Sequence, residues 1–137
     1  MIKEIVVAKE EAEKEFDRFF DCMDIYIDES ELDADDLSAF RKLKGKLIRS
    51  IMYGHLTFND NGEAVYKPFK SPHTDAITFH ERKGSSLIAI DGKKKGHDVA
   101  KMYAMMADMT GLPQNVFSKL NGIDIKICEG IFTFLMD

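Results

Sequence analysis

The stretch whose reading decides the fold is residues 97–137, HDVAKMYAMMADMTGLPQNVFSKLNGIDIKICEGIFTFLMD. Beyond Val99, apolar residues fall at Met102, Met105, Met106 and Met109, the i, i+3, i+4, i+7 spacing that gathers side chains on one face of a helix. Thr110-Gly111-Leu112-Pro113 reads as the stop of that helix, with Gly111 free to take the left-handed position after its last turn. Pro113 suits the first turn of a short following helix, expected from Pro113 to Leu120 and ended by Asn121-Gly122. A last helix is expected to begin near Asp124, whose carboxylate could cap free N–H groups. Its apolar residues, Ile123, Ile125, Ile127, Cys128, Ile131, Phe132, Phe134, Leu135 and Met136, do not fit one stripe, so this helix must be covered on two sides.

Working back towards the N-terminus, His55 to Tyr66 changes to a period of two. Leu56-Thr57-Phe58 and Ala64-Val65-Tyr66 flank Asn59-Asp60-Asn61-Gly62, a β-hairpin signature in which Asn61-Gly62 could supply positive φ angles. Further strands are expected at Ala76 to Phe79 and at Leu87 to Ile90, joined at Lys83-Gly84. Before the hairpin, Asp33 can cap a helix whose apolar face is Leu37, Phe40, Leu43, Leu47, Ile48 and Ile51, with Gly54 ending it. Its opposite face carries Arg41, Lys42, Lys44, Lys46 and Arg49 and reads as a solvated basic surface. Helical spacing from Lys9 brings Ala12, Phe16, Phe19, Phe20 and Met23 together. Ile2 to Ala8 is rich in β-formers, and Asp21 to Glu31 is acidic with no decisive pattern. Helices before and after a small antiparallel sheet define an α+β domain.

The chain has 137 residues, 45% apolar and 31% charged, which fits a single globular domain over 1–137. No apolar run approaches the ~18 residues that span a membrane, and the N-terminus is too polar for a secretory signal. A cytoplasmic protein without membrane attachment is therefore expected. Cys22 and Cys128 are isolated and read as buried free thiols.

The net charge of −5 is unevenly spread: residues 1–36 hold fourteen Asp and Glu against four Lys and Arg, a net −10, leaving +5 on the remainder. The acidic arm is expected to lie on the basic middle of the chain or to reach a basic partner.

No catalytic constellation emerges, and the chain is not expected to be an enzyme. Residues 90–96, IDGKKKG, lack the spacing and hydroxyl of a phosphate-binding loop. His55, His73, His80 and His97 have no metal-ligand spacing and read as scattered surface histidines. No Ser, Cys or Thr stands in a nucleophile-elbow context. No cofactor and no metal are expected. The excess of apolar helix surface points instead to a protein partner, with Met102, Met105, Met106, Met109, Phe132 and Phe134 as the candidate contact residues.

Two resemblances follow from these motifs. Residues 99–120 resemble a helix-turn-helix, with Ala107 at the inter-helix contact, Gly111 in the turn, and Phe117 and Leu120 inside. Only Lys119 is basic in the would-be recognition helix, which weakens specific DNA contact, so a helix-turn-helix DNA-binding regulator is the alternative reading and nucleic acid a disfavoured partner.

The longer resemblance, from about Leu37 to the C-terminus, is to the tail assembly chaperones of long-tailed bacteriophages and prophages. It rests on element order: a helix, a hairpin with a D-x-G turn at Asp60-Asn61-Gly62, a strand like Ile77-Thr78-Phe79, then Leu87 to Asp91. A helix ending Thr110-Gly111-Leu112-Pro113 follows, then a short helix, Leu120-x-x-x-Asp124 and an apolar C-terminal helix. The resemblance implies a non-enzymatic chaperone that binds the tape measure protein and assists tail-tube proteins to assemble around it. It also implies a place in the bacterial host cell and not in the mature virion. A second copy of the chain is the other partner that an apolar C-terminal face could serve. Residues 1–36 lie outside this resemblance.

Overall fold

The computed structural model describes residues 4–69, 75–80 and 98–136. The strand expected at Leu87 to Ile90, its turn at Lys83-Gly84, residues 90–96, His73 and His97 lie outside these.

Helix α1 spans Lys9–Cys22 and buries Ala12, Phe16 and Phe19, the aromatic face read from the sequence. Asp24, with φ 54°, takes the chain out of it; the short polar side chain tolerates the left-handed region. The β-rich segment before α1 forms no strand over residues 4–8. Both Val6 N–H and Val7 N–H donate to the Met52 carbonyl, at 2.8 and 3.1 Å, so the segment is pinned to a helix end instead of to a strand. In the acidic stretch, Asp28 caps a single 3-10 turn at Glu29–Glu31 by accepting from the Ser30 N–H and hydroxyl.

Helix α2 spans Ala34–Met52, and Asp33 accepts from the Asp36 N–H at 2.8 Å. Leu47, Ile48 and Ile51 are buried. The acidic arm meets the basic face of α2 where Arg41 pairs with Glu29 at 3.3 Å.

Strands β1 (Leu56–Phe58), β2 (Ala64–Tyr66) and β3 (Ile77–Phe79) form an antiparallel sheet in the order β1-β2-β3. Leu56 faces Tyr66 and Phe58 faces Ala64 in the hairpin; Tyr66 faces Ile77 and Ala64 faces Phe79 across the second pairing. The alternation read from the sequence fixes this register, since Leu56, Ala64, Tyr66, Ile77 and Phe79 all point inward and are fully buried. In the turn only Gly62 has a positive φ, 79°. Asn61 needs none, because Asn59 ties the turn through its own side chain, accepting from the N–H groups of Asn61 and Glu63 at 3.0 Å each. A Cβ at position 62 would sit 2.3 Å from the Cys22 Cβ, so the turn lies directly under the end of α1. Arg18 adds a clasp there, donating to the carbonyls of Phe58 and Asn59 while held by Glu15.

Helix α3 spans Asp98–Thr110, α4 Gln114–Ser118 and α5 Gly122–Leu135. Gly111 takes φ 73° after α3, as its place in the sequence predicts. Pro113 precedes α4 as its cap residue, and α4 ends two residues before the expected Leu120. The last helix starts at Gly122, capped by the Asn121 side chain on Ile123 N–H. Asp124 is not its cap.

Cys128 is buried as expected, whereas Cys22 is exposed at the end of α1. His80 stays at the surface with its side chain 46% exposed, its Nδ1 2.7 Å from Glu63 Oε2, whereas the His55 ring is stacked on Phe69 at 4.2 Å. One apolar cluster runs through the described residues from Ala12 to Leu135.

Candidate functional site

The methionine face of α3 is core. Met105, Met106 and Met109 are 0–1% exposed, because α3 lies against β3, where the His80 N–H donates to the Met109 carbonyl at 3.2 Å, and against α4. Methionine suits this place: its unbranched, adaptable chain fills the irregular space between a helix and a three-residue strand. Phe134 is also buried, with its ring 5.2–5.8 Å from those of Phe16, Phe20 and Phe40, edge to face with each. These four residues are therefore corrected from contact to core. Met102 and Phe132 are half-buried and packed at the edge of the cluster.

Helix α5 is fully covered on one face only, not on two sides as its composition suggests. Asp124, Ile127, Cys128, Ile131, Phe134 and Leu135 face inward, while Ile125, Phe132 and Met136 form a half-covered stripe. Close approach to α2 depends on Gly130, where a Cβ would meet Leu43 Cδ1 at 2.7 Å. Leu43, which fills the space that a side chain at position 130 would need, also borders an open groove. The groove, about 320 Å³, is lined by Ile27 and Leu32 from the segment before α2, by Phe40 and Leu43 from α2, and by the edge of Phe134. Asp36, Ala39 and Thr133 form its rim. The sequence reading missed Ile27, Leu32 and Leu43 as groove residues, because the acidic stretch around Ile27 carried no periodicity and its folding back onto α2 is a tertiary event.

The buried chemistry at the start of α5 is structural. Asp124, fully buried, accepts from the Tyr66 hydroxyl at 2.6 Å and from the Phe69 N–H at 3.2 Å. It thereby ties α5 to the end of the hairpin across more than fifty residues of sequence. Desolvation first, and then the hydrogen bond to Asp124, push the Tyr66 hydroxyl far above its ordinary range. Burial likewise raises the Cys128 thiol, which makes it inert. A signal for Asp124 existed in the sequence: Asp124, Cys128, Ile131 and Leu135 share one helical face, so this acid sits on an apolar stripe and needs a buried partner.

The helix-turn-helix candidate does place Phe117 and Leu120 inside and Gly111 in its turn. However, α4 is only five residues long, and Lys119 lies just past its end. Among the described residues no group of three His, Cys, Asp or Glu could hold a metal ion, and no helix is long and apolar enough to cross a membrane. No protein-family model, curated protein or solved structure matches the chain.

Proposed function

We propose that this chain is a non-enzymatic assembly chaperone of the long-tailed phage type, which binds the tape measure protein and assists assembly of the tail tube around it. The observation that carries this reading is the open apolar groove between the 27–32 segment, α2 and α5. An amphipathic helix laid into such a groove buries its apolar face at i, i+3, i+4 and i+7, which is the need of long apolar tape measure helices before their tail tube encloses them. The order of described elements adds support: a helix, a hairpin turning at Asp60-Asn61-Gly62, a strand at Ile77–Phe79, then a helix, a short helix and an apolar C-terminal helix. The five-residue α4 presents too little helix to fill a major groove, so no feature favours the regulator reading.

The proposal is tested by co-expressing the chain with the tape measure protein encoded beside it. The unaltered chain is expected to keep the tape measure protein soluble and to co-purify with it. Ala39→Glu, at an exposed rim position, is expected to abolish co-purification while the circular dichroism spectrum stays unchanged. Absence of a tape measure gene from the neighbouring DNA, or undiminished capture by the Ala39→Glu variant, would overturn the reading.

A further inference from the structure

A second concavity, away from the groove, lies between the C-terminal half of α2 and the first turns of α5. It measures about 320 Å³. Lys46 and Arg49, one turn apart on α2, reach it from one side, and Lys126 on α5 reaches it from the other. Three like charges around one opening repel each other. Among the described residues, Lys46, Arg49 and Lys126 form no ion pair. The nearest acid in the sequence of α5, Asp124, is turned inward to Tyr66 and Phe69 and is fully buried.

Beneath these cations lies Ser50, which also lines the cavity. The residue is 6% exposed, and its hydroxyl has no hydrogen-bond partner among the described residues. Two threonine hydroxyls in this molecule's helices behave differently: Thr110 donates to the Met106 carbonyl at 2.7 Å and Thr133 to the Glu129 carbonyl at 2.8 Å, the usual bond back to the preceding turn. A buried hydroxyl left unpaired is rare and costly, and this one borders a cavity ringed by positive charge. Both features ask for the same thing, an acceptor carrying negative charge.

The rest of the wall is His55, two isoleucines and Phe69. Phe69, held in a near-parallel stack with His55 at 11° between planes, forms one side, and Ile127 and Ile123 form the other, with Ile123 46% exposed at the rim. A bare inorganic anion would leave these surfaces wet. We propose that this cleft binds an acidic peptide segment of a protein partner. A carboxylate would sit among Lys46, Arg49 and Lys126 within reach of the Ser50 hydroxyl, and a neighbouring apolar side chain would cover Phe69 and Ile123. Charge complementarity selects the partner's chemistry, and the open mouth lets a chain segment enter and leave.

The test is a nuclear magnetic resonance titration of the full chain with a synthetic peptide, acetyl-Glu-Leu-Asp-Phe-Glu-amide. A peptide with lysine at the acidic positions and sodium phosphate serve as comparisons. Saturable shifts of the Ser50, Phe69, Ile123 and Lys126 amides are expected with the acidic peptide alone. Arg49→Glu combined with Lys126→Glu, both at exposed positions, should weaken binding by on the order of tenfold or more, and added salt should weaken it further. Ser50→Ala, which cannot disturb the surface charge, should also weaken it. Equal shifts with the lysine peptide, the same saturable shifts with phosphate alone, or no saturable shift at all would each overturn the proposal.

Discussion

Asp124 and Ser50 are both buried polar residues close to the start of α5, and the structure treats them in opposite ways. Asp124 is closed off and satisfied, taking a hydroxyl from β2 and an N–H from the residue run that follows it. Ser50 borders an opening and is unsatisfied. A buried polar atom whose bonds are all made within the chain contributes to holding the fold; one whose bond is missing beside a cavity contributes to stability only when something else supplies the bond. The same division separates the sealed methionine face of α3 from the open groove beside Leu43.

The largest effect is expected from breaking the satisfied side. Asp124→Ala strands the Tyr66 hydroxyl and the Phe69 N–H, each of which loses its acceptor, and should lower stability by roughly 3 kcal/mol in urea unfolding. Next comes Met106→Ala, expected to cost about 2–5 kcal/mol because it opens a cavity in a fully buried site. An interface residue at that position would instead leave unfolding unchanged.

The Tyr66–Asp124 bond also has a pH signature. The Tyr66 hydroxyl titrates higher in the folded chain than the ordinary 10.0, through desolvation and then Asp124. A group raised on folding contributes fully below its unfolded value, and that contribution is lost as pH rises. Stability should therefore decline as pH is raised above about 10, and Tyr66→Phe should flatten that decline. An equally steep decline in the Tyr66→Phe variant would locate the titrating group elsewhere.

The smallest stability change has the opposite sign. Ser50→Ala removes an unpaired buried hydroxyl and should raise stability by up to about 1 kcal/mol. A loss of stability on this change would mean that Ser50 is bonded within the fold.

The sequence made local events legible because their causes are local. Asp33 as a cap, Gly54 and Gly111 at helix ends, and the alternation across Leu56 to Tyr66 each depend on residues within one turn or one strand pair. It also placed Met102, Met105, Met106 and Met109 on one helix face correctly. What it could not say is what covers that face, since a stripe against a sheet and a stripe against a partner have the same spacing. Asp124 was misread for a related reason: a carboxylate in a first helical turn is a cap by local rules, and only Tyr66, brought close by the hairpin, makes it a buried acceptor. The groove and the basic cleft were illegible altogether. Ile27 and Phe134 come to line one groove, and Lys46 and Lys126 one cleft, only after α2 and α5 have packed at Gly130.

The most direct test of the proposed role is a calorimetric titration of the folded chain with a synthetic amphipathic apolar helix of the kind a tape measure protein would supply, comparing the unaltered chain with Ala39→Glu and with Arg49→Glu. Binding by the unaltered chain is expected, weakened on the order of tenfold or more by Ala39→Glu at the groove rim, and left unchanged by Arg49→Glu, which lies at the other cleft. No binding by the unaltered chain, or equal binding by the Ala39→Glu variant, would contradict it.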